Sequence, residues 1–380
     1  MKYFFTLGNH PELSIAEIKS LFSKQKMTYQ SVLETEEVFI FETEEKIEPT
    51  IIDLLGGAIR FGEVFDFAID PQDIYAKTIK VLPEDSKIYF GVSFYNKEKF
   101  KSKDLGFKIK EKISSNSRSC RFVTSKENPL SSVIVKKNRL VTARGFELNV
   151  MFDNNNIYLG RTLSVQDFRK YSQIDFGRPG RDDVSGMLPP KVAQVMVNLT
   201  EKSDKSVILD PFCGSGTVLQ MAAMNGYKKL LASDNSEKAV RDTEENNEWL
   251  QDKFELSYSL KTTMTPVEEL SKSVKGKTID AVVTEPYMGP ALRGNESPET
   301  IRQTIDELTQ LYKKAFDEFT KVMKPDGVII FVFPEYVIKE KHFHFDIENI
   351  IPRTFKVKGH WQYSRENQKV IRNIYKITTK

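Results

Sequence analysis

Residues 206–217 read SVILDPFCGSGT, and they decide the fold. SVIL is a short apolar run rich in β-branched residues, which reads as a buried strand. Asp210 ends it, and Pro211 and Phe212 lead to Cys213-Gly214-Ser215-Gly216-Thr217, where a helical pattern begins over GTVLQMAAMNG (216–226). A strand that passes through a glycine-containing loop into a helix is the opening unit of an α/β sheet. Open sheets of this kind bind ligands at the carboxyl ends of their strands. Gly214 and Gly216 allow a tight turn and let backbone approach a ligand with no Cβ in the way.

Working outward, the next strand, KLLASD (229–234), ends in Asp234 followed by Asn235. In dinucleotide-type folds a carboxylate at that place accepts hydrogen bonds from ribose hydroxyls. The loop lacks the lysine of GxxxxGK[ST] and does not fit GxGxxG, so a nucleoside-phosphate reading is weak. An acidic residue ahead of the glycines suits a ligand with a cationic amino-acid end, such as S-adenosylmethionine. Cys213 reads as a small packing residue, since no basic neighbour is indicated to generate a thiolate. Further on come the helical EKAVRDTEENNEWL (237–250), a less regular stretch, the strand TIDAVVT (278–284), the helix TIDELTQLYKKAFDEFTKVM (304–323) and the strand GVIIFVF (327–333). Such alternation predicts a parallel sheet with helices on both faces. Upstream, Pro190 suits the first turn of KVAQVMVNL (191–199), in which Val192, Val195, Met196 and Leu199 form one apolar face.

The first 163 residues have a different rhythm. KYFFTLG (2–8) reads as a strand, SIAEIKSLF (14–22) as a helix entered through Pro11 and Glu12, SVLETEEVFIFE (31–42) as a strand and PTIIDLLGGAI (49–59) as a helix. A second α+β unit follows: helix DPQDIYAKTIKVL (70–82), strand KIYFGVSFY (87–95), basic helix KSKDLGFKIKEKISSNS (101–117), then strands CRFVTS (120–125), SSVIVKK (131–137) and ELNVMFD (147–153). A turn at Asn154-Asn155-Asn156 and the strand IYLGRTL (157–163) close it. The segment 164–190, SVQDFRKYSQIDFGRPGRDDVSGMLPP, reads as an ordered but irregular linker.

Composition excludes several classes. With 39% hydrophobic and 29% charged residues the chain is ordinary for a soluble protein, and no apolar run approaches the roughly 20 residues of a membrane span. The N-terminus lacks the pattern of a signal peptide, so the expected location is cytoplasmic. Two cysteines, Cys120 and Cys213, offer neither a disulfide framework nor a cysteine-rich zinc site. His342, His344 and His360 read as surface or core residues rather than metal ligands. The net charge of +3 hides an asymmetry: residues 101–150 hold 12 Lys/Arg against 4 Asp/Glu, residues 351–380 hold 8 against 1, and the rest is net acidic. Two separated basic blocks suggest a polyanionic partner gripped at two places.

DPFCGSGT, with GMLPPKVAQVMVNL (186–199) before it and VVTEPYMGP (282–290) after it, resembles the THUMP-containing tRNA guanine-N2 methyltransferases, in particular the archaeal and eukaryotic type that modifies guanosine 10. The linker is similar to that family's YSxRDxxRPxRD pattern at Tyr171, Ser172, Asp175, Arg178, Pro179, Arg181 and Asp182, with Ile174 where Arg is usual. The resemblance implies an α/β, Rossmann-like class I methyltransferase domain with a mostly parallel seven-stranded sheet (190–380), preceded by an α+β ferredoxin-like domain (1–60), a THUMP RNA-binding domain (61–163) and a linker (164–189). It implies S-adenosyl-L-methionine as cofactor, held by Asp210, Phe212, Gly214, Ser215, Gly216, Thr217, Asp234 and Asn235. Thr265 or Glu268 would lie near the adenine. The implied partner is tRNA, and eukaryotic members of the family work with a small activating subunit.

The family's catalytic motif is DPPY, often followed by Gly. Aligned without a gap, Glu285 takes the Asp position, Pro286 and Tyr287 the prolines, Met288 the Tyr and Gly289 the Gly; aligned on Pro-Tyr, Thr284 falls on Asp and Glu285 on the first Pro. The first alignment keeps an acceptor at the strand end and preserves the glycine spacing. It makes Glu285 the acceptor from the target amine and Tyr287 the face that stacks the base, with Thr284 and Pro286 completing the loop. Phosphate contacts are expected from Lys101, Lys103, Lys108, Lys110, Lys112, Arg118 and Arg121 in one block and from Lys356, Lys358, Arg365, Lys369 and Arg372 in the other, with Arg178 and Arg181 of the linker. Two other readings share these features. One is a DNA adenine-N6 or cytosine-N4 methyltransferase, and the other is a tRNA-binding protein of the same fold that has lost catalysis.

Overall fold

The structure is a computed structural model that describes residues 1–85, 87–96, 102–115, 118–153, 156–181, 187–365 and 368–380. Lys101, the Asn154-Asn155 turn and Asp182 lie outside the described residues. The chain divides into two compact units: residues 1–18 with 26–167, and residues 19–25 with 168–380.

In the first unit the elements follow the order β1 (Lys2–Leu7), α1 (Pro11–Gln25), β2 (Gln30–Glu34), β3 (Val38–Glu42), β4 (Ala58–Ala68), α2 (Pro71–Val81), β5 (Lys87–Tyr95), α3 (Ser102–Ser115), β6 (Ser119–Val123), α4 (Ser132–Lys137), β7 (Gly145–Phe152) and β8 (Ile157–Val165). The strands form one sheet in the order β2-β3-β1-β4-β8-β7-β5-β6. Only β5 runs parallel to its neighbours β6 and β7. Residue 60, the sequence-based division between two domains, falls inside β4, which pairs with β1 on one side and β8 on the other.

Three local expectations are corrected here, each for a physical reason. SVLETEEVFIFE is a hairpin rather than one strand, because the Thr35 hydroxyl accepts from Glu37 N at 3.3 Å and Val38 N at 3.0 Å and closes a turn. PTIIDLLGGAI is a short 3-10 turn over Pro49–Leu54 leading into β4. Gly56 N and Gly57 N donate to the Glu17 carboxylate at 2.8 and 2.7 Å instead of continuing a helix. SSVIVKK is helical: Ser131 caps it by accepting from Ile134 N, and Lys136 and Lys137 sit at its negative end.

The second unit contains α5 (Phe168–Phe176), α6 (Pro190–Leu199), β9 (Val207–Asp210), α7 (Thr217–Met224), β10 (Lys229–Asp234), α8 (Glu237–Phe254), β11 (Ser259–Met264), α9 (Leu270–Ser273), β12 (Ile279–Thr284), α10 (Pro298–Val322), β13 (Met323–Ile338), β14 (Lys341–Phe343), α11 (Ile347–Ile350), β15 (Phe355–Tyr363) and β16 (Val370–Thr379). The strand order is β11-β10-β9-β12-β13-β16-β15, with β14 added to β13. The first five strands are parallel, and β16 inserts antiparallel between β13 and β15. The alternation read from residue 206 onward is therefore a mostly parallel sheet. The linker is not wholly irregular, since α5 lies within it. β15 and β16, read from the sequence only as a basic block, are its last two strands. Tyr312, Phe316, Phe331, Phe333 and Tyr336 fill the core between α10 and the sheet. No helix among the described residues is long and apolar enough to cross a membrane.

Candidate active site

Because β9, β10 and β12 are parallel, the loops that follow them leave the same edge of the sheet. A cleft of about 550 Å³ opens there, lined by Asp210–Ser215, Thr217, Asp234–Ser236, Glu268, Glu285–Met288 and the apolar Met187, Leu188, Val267 and Leu311.

The loop after β9 is held from behind. Gly216 has φ +80°, and a Cβ there would lie 3.0 Å from Asn247 Nδ2 and 3.1 Å from Thr243 Oγ1, so glycine is required for both the dihedral and the close approach. Thr243 Oγ1 donates to Gly214 O at 2.9 Å and Asn246 Nδ2 to Ser215 O at 2.8 Å, so α8 fixes the loop carbonyls. A Cβ built on Gly214 meets nothing within 4 Å, which marks the open side of the loop.

Asp210 is 2% exposed. Its Oδ1 accepts from Thr284 Oγ1 at 2.7 Å and from Phe212 N at 3.2 Å. Burial pushes its carboxyl up to about 7, against these two hydrogen bonds and with the help of the Asp234 and Glu285 charges. Asp234 accepts from Gly214 N at 3.1 Å and Ser236 N at 3.0 Å, with Asn235 exposed beside it. The Cys213 thiol, buried, is pushed up and stays protonated. Of the two residues considered for the third strand, Glu268 lines the cleft, whereas Thr265 contributes its backbone N to Asp234 O.

On the opposite side, Glu285 carries a feature the sequence did not reveal. Arg372, on β16, forks onto it: Nε donates to Oε2, and Nη2 donates to Oε1 at 3.2 Å. The side chains are 9% and 12% exposed. Burial disfavours the guanidinium charge, but Glu285 outweighs it and holds the Arg372 group above its ordinary value. Tyr287 is 56% exposed and lines the cleft. Two buried tyrosines clamp the backbone around it: Tyr312 Oη donates to Tyr287 O at 2.7 Å and Tyr336 Oη to Met288 O at 2.9 Å. Gly289, at φ +82°, completes the turn against Thr304 and Tyr336. Thr284 is fully buried and donates to Asp210, so it joins the ends of β12 and β9 instead of facing the cleft.

The structure divides the expected phosphate contacts. Lys103, Lys108, Lys110, Lys112 and Arg121 are exposed on or beside α3 and β6, and Lys356, Lys358 and Arg365 are exposed on or after β15. Arg118 is half-buried and donates to Pro83 O and Asp85 O. Lys369 donates to Arg293 O. Arg181 is exposed, over the Phe176 ring at 5.5 Å. Arg178 and Arg372 are placed otherwise than expected for surface contacts. Arg178 is 2% exposed, and its Nη1 donates to Thr217 Oγ1 at 2.7 Å and Gln220 Oε1 at 3.2 Å. It braces the start of α7 behind the loop, as Arg372 braces Glu285.

Residues 178–349 match the UPF0020 family model, described as RMKL-like, methyltransferase domain. The tRNA (guanine(10)-N2)-dimethyltransferase of Methanocaldococcus jannaschii is 27% identical over 198 residues, 50% of each chain. The enzyme of the same name from Methanothermobacter thermautotrophicus is 26% identical over 230 residues, 59% of each chain. The chain thus aligns with only about half of the length of these curated relatives. Among solved structures, TrmN from Thermus thermophilus superposes with a TM-score of 0.61 at 13% identity, covering 100% of both chains. A possible methylase from Clostridium difficile 630 gives 0.54 at 13%, covering 100% of this chain and 99% of that one. The sheet order, the cleft at its carboxyl edge and these superpositions assign a mixed α/β architecture with a Rossmann-like methyltransferase fold.

Proposed function

We propose that this protein methylates the exocyclic N2 of a guanosine in tRNA, at position 10 as in the named relatives, using S-adenosyl-L-methionine. The observation that carries the reading is one cleft shared by a buried carboxylate, Asp210, with no ion-pair partner among the described residues, and a clamped loop presenting Glu285 and Tyr287.

The residues fit the cofactor. Asp210 is a desolvated carboxylate whose partners are a hydroxyl and an amide, so a cationic amino-acid end approaching it would be strongly favoured. Asp234 keeps acceptor lone pairs beyond its two backbone bonds for ribose hydroxyls, Glu268 stands on the adenine side, and the open face of Gly214 admits the ligand. When bound, the cofactor would supply a sulfonium methyl for transfer to the amine nitrogen, with a neutral thioether as the leaving group.

Guanine N2 is a poor nucleophile because its lone pair is delocalised into the ring. The chain must therefore align the amine, accept its N–H hydrogens and balance the charge that develops. Glu285 does the last two. The Arg372 fork uses one lone pair of each oxygen and leaves the remaining lone pairs for the amine. Tyr287 offers a ring face for an extruded base, and Tyr312 and Tyr336 hold that face in register with Glu285 through the backbone.

On this reading residues 1–60 act as a ferredoxin-like domain, 61–163 as a THUMP domain and 164–189 as a linker, with 190–380 catalytic and the location cytoplasmic. The exposed lysines of α3 and β15 supply phosphate contacts that give affinity without base choice. The test is Glu285→Ala: methyl transfer to tRNA should be abolished while cofactor affinity is retained. Unchanged turnover would refute the assignment. Running the assay with the chain alone also decides whether a small activating subunit is needed.

A further inference from the structure

Glu335 of β13 is buried, 3% exposed at its side chain, and is the residue just before Tyr336, the catalytic loop's anchor, on the same strand. Among the described residues its ion-pair partners are two imidazoles and no lysine or arginine. His342 Nδ1 contacts Oε1, and His344 Nδ1 lies 3.6 Å from Oε2. The arrangement follows from sheet register. β14 pairs antiparallel with β13, with Tyr336 opposite Phe343 and Val337 opposite His342, so His342 and His344, two residues apart, share the face that Glu335 occupies. One ligand atom from each of the three residues lies within 4.8 Å of the others.

A second layer orients the first. Asn373 Nδ2 donates to Glu335 Oε2 at 3.1 Å and Gln362 Nε2 donates to the same oxygen at 3.2 Å. His360 Nε2 in turn meets Asn373 Oδ1 at 2.7 Å. Metal-binding carboxylates are commonly fixed in this way by hydrogen bonds from outside the ligand set. The imidazoles are 48% and 63% exposed, which gives an ion a path to the buried carboxylate. None of the three lines the cleft described above.

We propose that Glu335, His342 and His344 bind a divalent transition-metal ion of the Zn²⁺ class. Two imidazoles with one carboxylate suit Zn²⁺ or Co²⁺, whereas Mg²⁺ and Ca²⁺ take oxygen-only sets. The ion supplies positive charge beside a buried carboxylate that has no lysine or arginine partner among the described residues. It ties β14 to β13 beside Tyr336.

The experiment uses the full, untagged chain after chelation, titrated with Zn²⁺ in a calorimeter and with Co²⁺ by visible absorption at pH 7.5. One ion per chain is expected, with ligand-field bands for Co²⁺ and a melting temperature raised by roughly 5–10 °C at a hundredfold excess over Kd. His342→Ala and His344→Ala should each weaken it by more than the roughly 10–100-fold that loss of an outer partner costs. His344 is exposed enough that its variant tests the site even if Glu335→Gln fails to fold. Absence of stoichiometric binding, or binding unchanged in both histidine variants, would overturn the proposal.

Discussion

Arg372→Ala separates two readings of one residue. Its place in the C-terminal basic block suggests a phosphate contact, whereas the geometry makes it the brace of Glu285. Removing one member of a buried ion pair costs about 3–5 kcal/mol, because the other charge is left without a partner. Glu285 borders the cleft and can recruit water, so the lower end, about 3 kcal/mol, applies. For a unit of this size that is a fall in melting temperature of roughly 6–12 °C. Both tryptophans, Trp249 and Trp361, lie in the second unit, so their fluorescence follows its unfolding. With the acceptor free to rotate out of alignment, single-turnover methyl transfer should fall by roughly 10²–10³. Arg372→Lys keeps the charge but not the fork and should lie between. Arg372→Met combined with Glu285→Gln should regain most of the stability and none of the activity, since it removes both charges. If Arg372→Ala leaves melting and turnover intact and raises only the KM for tRNA, the brace does not exist.

Asp210, with its carboxyl pushed up to about 7, binds a proton more tightly folded than unfolded. Its contribution to stability is full below about pH 4 and lost as pH rises through about 7, a slope that Asp210→Asn should flatten in melting curves. Affinity for S-adenosylhomocysteine, by calorimetry, should rise across pH 6–8 in the native chain and be low throughout in that variant. Gly289→Ala, at φ +82° with its Cβ 2.9 Å from Thr304 Cγ2, should displace Tyr287 and lower turnover with the Kd for cofactor unchanged. Replacing Lys108, Lys110 and Lys112 with Ala should make the salt dependence of tRNA binding shallower by roughly 2–3 in log–log slope, read by filter binding.

The parts of this fold written locally were the legible ones. SVILDPFCGSGT, KLLASD and TIDAVVT each state a strand and its end within a few positions, and the sheet assembled these strands as expected. Thr35 and Gly56-Gly57 were misread because their turns depend on a hydroxyl and on a carboxylate, Glu17, 39 residues away. Arg372 and Glu285 are 87 residues apart and meet only through the placement of β16 beside β13, so a charge count assigned the arginine to the surface. The tyrosine clamps were hidden in apolar runs, where a buried aromatic with a hydroxyl looks like core. Glu335 and His342 have a ligand relationship only once β14 folds back on β13.

The most direct test of the proposed function is to incubate the full chain with methyl-labelled S-adenosylmethionine and unmodified tRNA, digest the RNA and identify the labelled nucleoside and its position. Label in N2-methylated guanosine at position 10, absent with Glu285→Ala, is the predicted result. Label on another base, label on duplex DNA instead, or tRNA binding with no transfer would contradict it.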